Sequence, residues 1–148
     1  MRIYIDTPVI GGVYDDEFAE STNEFFRKVD SGEFTLVVSE LLRTELLRAP
    51  ERVRDYLVKF APREIEEVKL SDEALDLADR YIAEKVVGAA SIADCQHITI
   101  ATVYKVDVLV SWNFKHIVNL KRIRGYNSVN LRSGYPMPTS AIAYGRAR

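Results

Sequence analysis

The chain has 148 residues, 47% of them hydrophobic and 28% charged, with a formal net charge of −2. That length fits one domain with a sizeable core, and the balance is that of a globular protein rather than a disordered or membrane-embedded one. The single cysteine, Cys95, excludes an internal disulfide, and no stretch has the apolar length of a signal peptide or a membrane span, so a cytoplasmic protein is expected.

Residues 2–5 are β-rich and end at Asp6 with Pro8 just beyond, which predicts a strand delivering Asp6 into a loop. Phe18, Phe25, Phe26 and Val29 form an apolar stripe at helical spacing, stopped by Gly32. Phe34 to Val38 reads as a strand buried on both faces. Ser39 is the expected N-cap of the next helix, with Leu41, Leu42, Leu46 and Leu47 as its apolar residues. Pro50 separates it from an amphipathic helix over 51–60. A strand-like piece follows from Ile65 to Leu70, then a helix over 72–86 capped by Ser71. Ser91 is expected to open a further helix, and Val106 to Val110 forms a short strand ending at Ser111-Trp112-Asn113. From Gly125 on the chain reads as loop-rich, and 133–148 as an irregular tail after a domain of residues 1–132.

Strands alternating with helices predict an α/β fold with a mainly parallel sheet and helices on both faces. Ligands then sit outside the carboxyl ends of the strands. Asp6, Glu45, Asp94 and Asn113 all fall near that edge or on helices leaving it. Carboxylates that converge repel one another unless a cation joins them, and Mg²⁺ or Mn²⁺ with oxygen ligands is the natural one. Such an ion activates water and steadies an in-line phosphodiester displacement. Charge is unevenly spread, since the residues from Lys105 onward carry Lys and Arg opposed only by Asp107. This asymmetry is compatible with an acidic pocket beside a basic rim.

The motifs also resemble a known family. Tyr4 to Ile10 resembles the opening strand of PIN domains, where an Asp followed by Ser or Thr starts the acidic site. Ser39 to Leu47 resembles their second motif, with Glu45 as its carboxylate. Ala93 to Thr102 is similar to the third, headed by Asp94, and Val108 to Phe114 to the fourth. The resemblance implies a three-layer α/β/α sandwich and an Mg²⁺- or Mn²⁺-dependent ribonuclease. It further implies kinship with VapC-like toxins, an RNA substrate, an antitoxin partner and a homodimer. Asp6, Asp94 and Glu45 are the expected metal ligands, with Asn113 completing the catalytic set where the family usually has Asp. Asn offers a carbonyl oxygen without charge.

Thr7, Ser111, Lys115 and His97 are candidates to touch substrate. Each also has a plainer reading. Asp6 suits a turn before Pro8, and Asp94 stands at capping-box spacing from Ser91. His97 suits a satisfied core histidine, and Trp112 a buried aromatic lid. A PIN-like scaffold that binds RNA or protein without cutting is the competing function, kept open by Asn113.

Overall fold

The computed structural model of the chain describes residues 1–86, 92–113, 117, 120–135 and 141–142. Its strands are β1 (Arg2–Ile5), β2 (Thr35–Ser39), β3 (Ile65–Val68), β4 (Val108–Val110) and β5 (Ala141–Ile142). They form one sheet in the order β3-β2-β1-β4-β5, with every neighbouring pair parallel. The helices are α1 (Thr7–Gly11), α2 (Ala19–Asp30), α3 (Glu40–Leu46), α4 (Glu51–Arg54), α5 (Asp72–Ala83), α6 (Ile92–Val103) and α7 (Leu120–Arg132).

Side chains alternate across each strand, so the sheet makes two cores. Ile3, Ile5, Leu36, Val38 and Val110 face one side, where α1 to α4 supply Val9, Phe25, Leu42 and Val53. Tyr4, Val37 and Leu109 face the other, against Leu77 and Tyr81 of α5, Ile98 of α6 and Val129 of α7. The result is the expected three-layer α/β/α architecture. Each fully buried aliphatic side chain contributes about 1.5–3 kcal/mol relative to exposure.

Local signals place most of these elements. Ser39 and Ser71 cap α3 and α5, their hydroxyls accepting from the Leu42 and Ala74 N–H groups. Gly32, just past α2, takes the left-handed φ of 81° that closes a helix end. Ser91, the expected cap of α6, lies outside the described residues.

Three expectations need correction. The segment 51–60 is not one helix: α4 gives way to a 3-10 turn at Tyr56–Lys59. Leu57 and Phe60 stand three apart, and the tighter winding keeps both buried on one side. The region after Gly125 is not loop-rich, because α7 runs through that glycine. Tyr126 and Val129 are buried at helical spacing, and a Cβ on Gly125 would come within 2.7 Å of Val86 Cγ1. The glycine allows close packing and does not break the helix. Within 133–148, expected to be irregular, Ala141–Ile142 adds β5 to the sheet. Residues 136–140 and 143–148 lie outside the described set.

Trp112 is a core residue. It is stacked on Phe18 with ring centroids 5.6 Å apart, and its indole N–H donates to Thr22 Oγ1 at 3.0 Å. Gly12 backs directly onto this pair: a Cβ there would lie 2.6 Å from Trp112 Nε1 and 2.7 Å from Thr22 Oγ1. Gly12→Ala therefore destabilises the fold by about 1–3 kcal/mol, read as a lower Tm with altered Trp112 fluorescence. Gly11→Ala, whose Cβ would meet nothing within 4 Å, leaves Tm unchanged or slightly raised.

Candidate functional site

Parallel pairing lines up the carboxyl ends of the three inner strands. Ile5 is in register with Val110, so the next residues, Asp6 and Ser111, come side by side. Tyr4 is in register with Val37, which brings Ser39 to the same edge from β2. The chain leaves β1 toward β2 and β3, while β4 and β5 lie on its other flank. Asp6 thus sits at the point where the connections diverge, the usual place for a ligand in an open parallel sheet.

The Asp6 side chain is 1% exposed. Ser111 donates its hydroxyl to Asp6 Oδ2 and in turn accepts from the Asn113 N–H at 2.9 Å. Asn113 is half-buried, and its link to this pair runs through its backbone N–H. Asp6 occupies the N-cap position of α1, yet its side chain makes no capping hydrogen bond. Its Oδ1 is buried with no hydrogen-bond partner among the described residues. Burial, with a further push from the negative charge of Asp94, raises its pKa to about 6, although the Ser111 hydroxyl opposes the shift. Asp94 lies in the first turn of α6 and is half-buried.

Glu45 is held differently. Its Oε1 accepts from Thr7 Oγ1 at 2.9 Å and lies 2.5 Å from His97 Nε2. The other ring nitrogen, Nδ1, is 2.6 Å from the Tyr4 hydroxyl, which is 2.8 Å from Ser39 Oγ. Partial burial would push the Glu45 carboxyl up, but the imidazole and the Thr7 hydroxyl more than offset it and hold it below its ordinary value. His97 is buried among these partners and does not face an open cleft. Outside it, an open groove of about 710 Å³ is lined by Thr7, Pro8, Gly11, Glu45, Arg48 and Ala93, the neighbour of Asp94.

The structure therefore brings Asp6, Thr7, Glu45, Ser111 and His97 together through hydrogen bonds at one sheet edge, with Asp94 within electrostatic reach of Asp6. Lys115 lies outside the described residues. Cys95 is buried core, its thiol pushed up to about 12 by burial and by Asp94. Tyr4 and Ser39 were missed as site residues. The signal for Tyr4 was a phenol in a strand otherwise buried, since such a hydroxyl needs a partner.

A divalent ion suits part of this set. Asp6 Oδ1 is an acceptor with no partner among the described residues and feels the charge of a second acid, Asp94, the condition that a cation relieves. Among the described residues no three acidic, His or Cys side chains converge as a ready-made cage. Mg²⁺ does not demand one, because it commonly uses one or two carboxylates and completes its shell with water and phosphate.

This architecture defines a PIN-like fold. The chain is similar to VapC20 of Mycobacterium tuberculosis, a sarcin-ricin loop cleaving toxin, with a TM-score of 0.58 and 9% identity over 91% of this chain and 97% of that one. It is also similar to a chain of VapBC2 from Rickettsia felis bound to a DNA fragment from their promoter. There the TM-score is 0.53 at 17% identity, over 78% of this chain and 90% of that one. No family model matches the sequence, and no curated protein matches it. Among the described residues no helix is long and apolar enough to cross a membrane.

The state of Asp6 has a measurable consequence. A carboxyl whose pKa rises on folding from 3.8 to about 6 stabilises most below the lower value and loses that contribution as pH rises through 6. In chelator at pH 7.5, Asp6→Asn should be more stable than the parent by about 3 kcal/mol, at 1.36 kcal/mol per pH unit. The gap should narrow to roughly half at pH 5. A variant less stable than the parent across this range would show that the ionised carboxylate is well accommodated.

Proposed function

We propose that this protein is an endoribonuclease that hydrolyses RNA phosphodiester bonds with the help of Mg²⁺ or Mn²⁺. The carrying observation is the buried Asp6 Oδ1, without a hydrogen-bond partner among the described residues and within reach of Asp94's charge, at the divergence point of a PIN-like sheet. Similarity to a sarcin-ricin loop cleaving toxin supports RNA as the substrate class. Similarity to a VapBC assembly supports the role of toxin in a toxin–antitoxin pair, with a protein antitoxin as partner. A homodimer acting in the cytoplasm belongs to the same reading.

Asp6 and Asp94 would hold the ion, with Glu45 contributing through the carboxylate oxygen not used by Thr7 and His97. Bound there, it would neutralise phosphate charge and lower the pKa of a coordinated water. The remaining work belongs to the chain. Ser111 fixes the rotamer of Asp6 by holding Oδ2. Thr7 and His97 hold Oε1 of Glu45 at the groove wall and keep its pKa below the ordinary value. Arg48, exposed on that wall three residues after Glu45, offers a fork of donors to the RNA backbone.

The second reading, a scaffold that binds RNA or protein without cutting, draws on one observation. Asn113 supplies no charge at the fourth motif, and the described acids do not form a closed metal cage.

Incubation of a structured RNA pool with Mn²⁺ or with chelator separates the two. Cleavage should require metal and should fall by about 100-fold or more in Asp6→Asn and in Asp94→Asn, the loss expected when several kcal/mol of charge stabilisation is removed. RNA retained but left intact by the folded protein in every metal condition would favour the scaffold.

A further inference from the structure

The buried groups behind Glu45 form one connected line. Leu42 N–H donates to Ser39 Oγ at 3.1 Å; Ser39 Oγ lies 2.8 Å from the Tyr4 hydroxyl. That hydroxyl lies 2.6 Å from His97 Nδ1, and His97 Nε2 lies 2.5 Å from Glu45 Oε1. The line begins at the N-cap of α3 and returns, through β1 and α6, to a carboxylate on the same helix. Tyr4 and Ser39 are 0% exposed and His97 is 2% exposed, so their polar hydrogens must find acceptors inside the line.

Counting donors assigns the protons. Oε1 of Glu45 accepts from Thr7 Oγ1 at 2.9 Å and lies 2.5 Å from Nε2, so the hydrogen between Nε2 and Oε1 belongs to the ring nitrogen. If the imidazole is neutral, Nδ1 accepts from Tyr4 O–H, Tyr4 Oη accepts from Ser39 O–H, and Ser39 Oγ accepts from Leu42 N–H. Every hydrogen then has an acceptor. If the imidazole were charged, Nδ1–H would donate to Tyr4, and Tyr4 would have to turn its own hydrogen to Ser39. The Ser39 hydroxyl hydrogen would then be buried with no acceptor among the described residues, at a cost of about 1–3 kcal/mol. The other neutral tautomer would set an Nε2 lone pair against a carboxylate oxygen.

We propose that Tyr4 and His97 are positioning residues for Glu45: a one-way line of hydrogen bonds from Ser39 locks the imidazole as the neutral Nε2–H tautomer. This turns Oε1 inward and leaves Oε2 to face the groove as a single-oxygen metal ligand. The inference deepens the proposed function and rests on it for the ligand role of Glu45. Oε1 is saturated by Thr7 and His97, whereas Oε2 has no partner among the described residues. Orienting groups behind a metal ligand typically affect affinity or activity by about 10- to 100-fold.

The tautomer is read directly by long-range ¹H–¹⁵N correlation at pH 7.5 in chelator, with His116→Gln to leave one imidazole. The expected signals are a protonated Nε2 and a bare Nδ1. An imidazolium, or a proton on Nδ1, overturns the assignment without any change to the line itself. Tyr4→Phe should then mix the tautomers and weaken Mn²⁺ binding, measured by electron paramagnetic resonance, by about 10- to 100-fold. Tyr81→Phe deletes another buried phenol, the one bonded to Asn130, and controls for stability alone; it should leave tautomer and Mn²⁺ affinity unchanged. Unaltered affinity in Tyr4→Phe overturns the positioning role. A parent protein that binds no Mn²⁺ refutes the metal reading under the proposed function, and the tautomer then decides the line by itself.

Discussion

The arrangement depends on one constraint: a carboxylate kept out of water at the end of the central strand. β1 has a neighbour on each side and a helical layer on each face, so whatever follows Ile5 is enclosed. Asp6 is in that place. One of its oxygens is satisfied by Ser111, which the register of β4 puts beside it, and the other has no hydrogen-bond partner among the described residues. A buried charge without full compensation costs several kcal/mol in a low-dielectric interior, and natural folds keep such a group where something else completes it. In the proposed function, that cost is the source of affinity for a cation.

Glu45 shows the opposite solution within the same site. Burial acts on it too, yet Thr7 and His97 supply donors and lower its pKa, while burial and Asp94 raise that of Asp6. Two carboxyl groups pushed in opposite directions have different work to do. Glu45 is held below its ordinary pKa, with Oε1 fixed by Thr7 and His97. In the proposed function, Asp6 is the group neutralised, by a proton or by a metal ion.

Much of this was legible in the sequence. Alternation of strand and helix patterns marked the parallel sheet, and runs such as Thr35 to Val38 carried the β signal without help from distant residues. Asp6, Glu45 and Asp94 were legible because each stands at a strand end or in a helix that starts there, and sheet topology converges such positions. Other features depended on contacts between distant parts of the chain. Gly125 reads as a breaker until Val86 is known to lie against it. Leu57 and Phe60 fit an α-helix as well as a tighter turn until the layer they cover is in view. Tyr4 reads as a strand aromatic, and only the packing of α6 on β1 shows its hydroxyl meeting His97. His97 suited a core role better than a site role; it is buried, and it touches Glu45.

The central claim is that Asp6 is a carboxylate whose burial awaits a cation. Its titration, followed through the ¹³C shift of its side-chain carboxyl, tests this most directly when run in chelator and again in saturating Mg²⁺. The account predicts a midpoint near 6 without metal and a clear fall toward ordinary aspartate values when Mg²⁺ is present. An ordinary aspartate midpoint that Mg²⁺ does not move would contradict it.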